Sequence, residues 1–132
     1  MPSTKQVIDP GWRRYDKLTY CAGVAKQGTL YVSGMTATDD RGHVMAEGDL
    51  VEQTRIIFER IGKVLEAAGG SFADLVKTTD YIVPEALATY RETATVQRQF
   101  LGGNAQAATG IVVHSLLKPG MLIEIDAIAI LD

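Results

Sequence analysis

The run Leu122-Ile123-Glu124-Ile125-Asp126-Ala127-Ile128-Ala129-Ile130-Leu131 constrains this chain more than any other segment. Its branched apolar residues and their alternation predict a strand. Period-2 geometry then puts Glu124 and Asp126 on one face, with Ile123, Ile125 and Ala127 on the other. A strand this apolar is no plain solvent-facing edge, so its two acids need a reason to be there. One reading places both at a wet rim. The other places Glu124 in a cleft, between subunits if the chain assembles, where burial raises its pKa and lets it handle protons.

The chain has 132 residues, enough for one compact domain with a real core and too few for a second. Hydrophobic residues make up 46% and charged residues 22%, so the chain folds. A formal net charge of −3, with no basic run, argues against general affinity for a nucleic-acid backbone. The single cysteine, Cys21, excludes an internal disulfide and fits a reducing cytoplasm. With one Cys, two His and no paired ligand spacing, no structural metal site is expected. Met1-Pro2-Ser3-Thr4-Lys5-Gln6 has no apolar core behind a charged start, so no secretory leader is expected. No apolar stretch approaches the ~20 residues that cross a bilayer, so no membrane partner is expected and a cytoplasmic location is.

Residues 1 to 18 are polar and read as irregular, with Pro10-Gly11 as a turn. Short β-like runs follow at Tyr20–Ala25 and Thr29–Ser33, with Gln27-Gly28 as a hairpin turn between them. Asp39-Asp40-Arg41-Gly42 is a second turn. Asp49 is a good N-cap for a helix over Leu50–Ala68, whose Leu50, Ile57, Ile61, Val64, Leu65 and Ala68 form one apolar stripe. Gly69-Gly70 ends it. Ser71–Leu75 reads as a helical turn, and Val76–Val83 as a strand. Pro84 opens a helix over Glu85–Leu101, ended by Gly102-Gly103. Both Gly-Gly pairs follow helices, so neither is a phosphate loop. Thr109–Leu116 and Leu122–Leu131 are predicted to pair, joined at Lys118-Pro119-Gly120. The order ββαβαββ implies an α+β fold with two helices on one face of a mixed sheet. The other face is left uncovered, which predicts an oligomer.

Tyr20, Leu30-Tyr31-Val32-Ser33-Gly34, Val64-Leu65-Glu66-Ala67-Ala68-Gly69, Asp74-Leu75-Val76-Lys77-Thr78-Thr79 and Ile123-Glu124-Ile125-Asp126-Ala127 follow one another in a familiar order and spacing. In these blocks the chain resembles the Rid family, the YjgF-like reactive-intermediate imine deaminases, from about Tyr20 to Leu131. The resemblance implies a chorismate-mutase-like fold and a homotrimer with clefts between subunits. It also implies hydrolysis of enamine or imine intermediates to a 2-oxo acid and ammonia, with neither cofactor nor metal. An arginine there clamps the substrate carboxylate in a bidentate geometry that lysine cannot copy. A late glutamate positions or activates water.

A tyrosine and the backbone of a Ser-Gly turn help line the cleft, and carried over by position the resemblance assigns the tyrosine, a polar anchor, to Tyr20, the turn to Ser33-Gly34 and the glutamate to Glu124. The arginine has no counterpart. Where it would follow Pro-Ala, this chain reads Gln106-Ala107-Ala108-Thr109-Gly110, and Ala108 stands in its place. His114, six residues on, would share the face of Ala108 in a regular strand and could serve Glu124 as a second proton carrier. The bland reading of His114 is a subunit contact or a solvated position. Arg91 and Arg98, seven apart on the second helix, could bring a guanidinium from another direction, Arg91 being the better candidate. Cys21 reads as a packed thiol, and Asp126 as either a paired acid or an ion-paired group.

The resulting expectation is a small-molecule enzyme with an altered intersubunit cleft. It would catalyse hydrolytic deamination or hydration, or tautomerisation, of an enamine, imine or enol in a specialised pathway. The alternatives are a ligand-binding or regulatory trimer without turnover, and an endoribonuclease, which the acidic balance disfavours.

Overall fold

The computed structural model describes residues 4–132, so the leader reading of Met1–Gln6 falls partly outside the described residues. Its strands are β1 (Gln6–Ile8), β2 (Gly23–Lys26), β3 (Thr29–Met35), β4 (Leu75–Ile82), β5 (Ala107–Val112) and β6 (Ile123–Ile130). Its helices are α1 (Leu50–Ala67) and α2 (Thr93–Leu101). The six strands form one sheet in the order β1-β2-β3-β6-β4-β5. Every neighbouring pair is antiparallel except β4 and β5. The architecture is α+β, as the order of elements implied. No helix among the described residues is long and apolar enough to cross a membrane.

Local chemistry explains most of the elements. Asp49 accepts a 3.0 Å hydrogen bond from the Glu52 amide and caps α1. Leu50, Ile57, Phe58, Ile61, Val64 and Leu65 are buried from that helix against Leu30, Val32, Ile123, Ile125 and Ala127 of the sheet. Beyond α1, Gly69 takes a φ of +83°, the left-handed turn that ends a helix without a Cβ penalty. Gln27 and Gly28 have φ of 50° and 82°, which matches the two-residue turn that suits the right-handed twist of a hairpin. The fully buried Gln53 ties α1 to the entry of β6: its Nε2 donates to the Gly120 carbonyl at 2.9 Å, and its Oε1 accepts from the Leu122 amide at 2.9 Å.

Three expectations are corrected. The segment read as irregular contains β1, paired with β2, and a 3-10 turn at Arg13–Tyr15. The helix expected over Glu85–Leu101 is split into a 3-10 stretch, Pro84–Glu92, and then α2. Only Ala86 of the first stretch is buried, so no apolar stripe holds that part to a 3.6-residue turn. The third correction matters most. β5 does not pair with β6; it lies parallel to β4 at the sheet edge, while β6 is inserted between β3 and β4.

Burial accounts for that insertion. β6 alternates between buried Ile123, Ile125, Ala127 and Ala129 and half-buried residues, whereas all six residues of β5 are exposed. The more apolar strand occupies the centre, with a partner on each side, and the Gly- and Ala-containing one is left at the rim. The face of the sheet away from the helices carries Tyr31, 53% exposed, and Ile111, 41% exposed, among other uncovered apolar groups. Glu124 and Asp126 lie on this same open face.

Candidate active site

The position of Glu124 follows from three neighbouring strands. Tyr81 of β4 lies opposite Glu124 across the ladder, and Ile111 of β5 lies opposite Tyr81, so all three share one face. On the other side, the pairing of β3 with β6 shifts between Val32 and Met35, which marks Ser33-Gly34 as a β-bulge against β6. The bulge brings Gly34 onto the acid. A Cβ at Gly34 would overlap Oε2 of Glu124 and stand 2.9 Å from its Cδ. The resemblance made Ser33-Gly34 a cleft-lining turn; the geometry supplies a physical reason for glycine there.

Gly34, Tyr81, Glu124 and Asp126 line a cavity of about 300 Å³ whose wall is the loop after β5, with Val113, Ser115, Leu116 and Leu117. Burial, and then the charge of Asp126, raise the pKa of Glu124, while Arg14 opposes them. The carboxyl group therefore keeps its proton to higher pH than an ordinary glutamate. Asp126 accepts a 3.0 Å hydrogen bond from the Tyr81 hydroxyl and has no cation within 4 Å among the described residues. That bond and burial together hold the Tyr81 phenol above its usual pKa. The alternation along Val76–Val83 puts Tyr81 on one face with Lys77 and Thr79, but nothing in the sequence singles it out as a site residue, because the strand beside it is not legible there.

The remaining candidates lie elsewhere on the protomer. Tyr20 sits in the loop before β2, half exposed, with its ring edge-on to Tyr15 at 5.9 Å. Cys21 is in the same loop and donates weakly to the Gly23 carbonyl at 3.4 Å. Ala108 is exposed on β5 and pairs with Thr78, a buried residue of the helix-side face. The β5 residues that share the face of Glu124 are Ala107, Thr109 and Ile111. None is an arginine, so this strand offers Glu124 no guanidinium in any register.

His114 requires a correction. The shared face expected for it presumed a regular strand, but β5 ends at Val112. The exposed His114 lines a separate depression with Val83, Glu85 and Pro119. Arg91 and Arg98 are exposed in the helical layer and line neither depression.

One further neighbour of the acid is not legible in the sequence. Arg14, in the 3-10 turn before β2, donates from Nη1 to Oγ1 of the buried Thr38 and lies over the Tyr15 ring at 5.5 Å. Its charge reaches Glu124 and lowers the pKa that burial raises. Its only signal is the cluster Trp12-Arg13-Arg14-Tyr15, in a stretch that reads as polar and irregular.

A family described as Endoribonuclease L-PSP matches residues 15–131. Among solved structures, YyfA of Yersinia pestis, of the Rid protein family, is 27% identical with a TM-score of 0.85, covering 97% of this chain and 100% of that one. A member of the YjgF/YER057c/UK114 family from Mycobacterium tuberculosis is 27% identical with a TM-score of 0.80, over 97% and 100% of the two chains. RidA from an Antarctic Psychrobacter is 28% identical with a TM-score of 0.76, over 86% of this chain and 89% of that one.

Proposed function

This chain belongs to the Endoribonuclease L-PSP family, with solved relatives that carry the YjgF and Rid names, and from that premise we propose that it is a small-molecule enzyme of the Rid type. Its single domain works in the cytoplasm as a homotrimer, with the open sheet face turned toward neighbouring copies. The substrate is an enamine, imine or enol intermediate of a specialised pathway. The observation that carries this reading is the carboxyl of Glu124: half-buried, raised in pKa, pressed against Gly34 and facing a cavity.

For an imine the chemistry balances as follows. Glu124, ionised, takes a proton from a water molecule as the water oxygen bonds to the imine carbon. That proton is given to nitrogen, leaving a carbinolamine. The carboxylate then takes the carbinolamine hydroxyl proton and passes it to nitrogen as the carbon–nitrogen bond breaks, so that a carbonyl compound and ammonia leave. A carboxyl group with a raised pKa is suited to both halves, because it accepts and gives back a proton near working pH. Protonation of an enamine carbon by the same group is the tautomerisation version. Tyr81 and Asp126 hold the polar side of the cavity beside Gly34, and Tyr20 stands in the loop whose Cys21 carbonyl accepts a hydrogen bond from Ser33. His114 and Arg91 take part only if another copy brings them across a subunit boundary.

The test is Glu124→Gln assayed against the enamine and imine formed from threonine or serine by a dehydratase, and against intermediates suggested by neighbouring genes. Turnover should fall by at least 100-fold, since general acid–base catalysis contributes about 10²–10⁴-fold. Undiminished ammonia or product release would remove Glu124 from the chemistry. Sedimentation should report three protomers. One observation favours a second reading, a ligand-binding trimer without turnover: β5 carries no arginine. Metabolite-dependent thermal shifts with no product would select it. RNA cleavage, which the family's description suggests, has a formal net charge of −3 against it.

A further inference from the structure

Arg14 is anchored on one side and unmatched on the other. Nη1 is held by Thr38, whose hydroxyl is within 3.1 Å of Thr36, so the guanidinium is fixed where the chain leaves β3. Its Nε is shielded from water and has no hydrogen-bond partner, and no carboxylate comes within 4 Å of it among the described residues. A second guanidinium, Arg60 of α1, lies near enough to depress its own pKa through the charge of Arg14, after burial. The charges of Asp40 and Asp39 reach Arg60 and offset part of this repulsion, and a bound anion would offset the rest.

The surroundings have the shape for one. Arg14 lines a depression of about 490 Å³ together with Arg13, Lys17, Tyr20, Arg41 and Lys118. Only Asp16 and Asp40 offset these cations in its lining. Leu117 borders both this depression and the cavity of Glu124, so the two lie side by side. Arg14 also lies just ahead of the family match, which begins at residue 15.

We infer that Arg14 is the anion-binding residue of the Glu124 cleft, and that its ligand is a small carboxylate seated in the basic depression with its reacting carbon toward Glu124. The guanidinium that β5 does not supply is provided from the N-terminal segment instead. With Nη1 held by Thr38 and Nε shielded, Nη2 is the edge left to meet a carboxylate oxygen, and Tyr15 and Thr38 keep the guanidinium oriented. The inference rests on the reading of this cleft as a small-molecule site, but not on turnover.

Binding of 2-oxobutanoate, measured calorimetrically on the full chain, tests it. Wild type and Glu124→Gln should both bind. Arg14→Ala should weaken binding roughly 10- to 100-fold, the size of a charge-assisted contact. Arg14→Lys should recover only part of that, and it decides the matter if the alanine variant fails to fold. Affinity in either variant equal to wild type overturns the inference, as does absence of millimolar binding by wild type. If binding depends on Arg14 yet no intermediate is ever turned over, the catalytic reading fails and Arg14 keeps its role. If Glu124→Gln abolishes turnover while Arg14→Ala leaves KM unchanged, the reverse holds.

Discussion

Replacing Gly34 with alanine should separate the stability of this protein from its chemistry. The new methyl group would overlap Oε2 of Glu124 and lie 2.9 Å from Cδ and 3.3 Å from Cγ. Ordinary contact would need the carboxyl group to retreat by about 1 Å, because the opposing atoms are closer than van der Waals packing permits. The backbone can stay where it is. Gly34 is not among the residues with positive φ, so alanine is conformationally acceptable there. Strain therefore falls on one flexible side chain. An off-rotamer glutamate costs about 0.5–1.5 kcal/mol, which in a chain of this size corresponds to a fall in Tm of roughly 2–6 °C.

The chemical consequence should be much larger. A catalytic group misplaced by about 1 Å loses on the order of 100-fold in rate. Gly34→Ala should thus melt within a few degrees of wild type and yet release product about 100 times more slowly. The carboxyl resonance of Glu124, followed by NMR against pH, reports the displacement even before a substrate is known. Moved toward water, the group should titrate at lower pH than in wild type, because burial is the main cause of its raised pKa. An unchanged titration and an unchanged rate would refute the claim that Gly34 positions the acid.

Two further outcomes follow from buried polar groups. Gln53→Leu keeps the volume but leaves the Leu122 amide and the Gly120 carbonyl without their partner, so urea unfolding should show a loss of about 1–3 kcal/mol. Asp80, 4% exposed, has its pKa raised chiefly by burial, against the hydrogen bonds from Tyr90 and Gln97. Its native form therefore binds a proton more tightly than the unfolded chain does. Stability should fall as pH rises from the ordinary carboxylate range through the raised native value, and Asp80→Asn should flatten that fall; equal slopes in the two proteins would contradict it.

The elements that sequence made legible are those whose signals are local. Asp49, the apolar stripe through Ile57, Ile61 and Leu65, and Gly69 bound α1 to within a residue of its observed end. The alternation of β6 gave its buried face correctly. Strand order is not local. Lys118-Pro119-Gly120 reads as the turn of a hairpin, yet β6 leaves β5 behind to fill the gap between β3 and β4. With it went the neighbours of Glu124: Tyr81 and Gly34 meet the acid only because β6 lies between their strands. Arg14 was hidden for a different reason. It belongs to a segment with almost no periodicity, and no spacing rule anticipates the bond it donates to Thr38.

The sheet also offers an internal comparison that bears on function. β4 and β6 are adjacent, and each carries a carboxyl whose pKa burial raises, on opposite faces of the sheet. Asp80, on the helix face, accepts hydrogen bonds from the Tyr90 hydroxyl at 2.6 Å and from Gln97 at 3.4 Å. Its partners are complete and solvent is shut out, so it fastens the helical layer to β4. Glu124, on the open face, accepts no side-chain hydrogen bond among the described residues and looks into a cavity instead. An acid that has been partly desolvated and given no protein partner is unfavourable for folding alone. Such a group is tolerated where a ligand, a water molecule or a proton completes it. Of the two raised acids, therefore, Glu124 is the one that faces open space without a side-chain hydrogen bond among the described residues, and so the better placed to exchange a proton with a bound molecule.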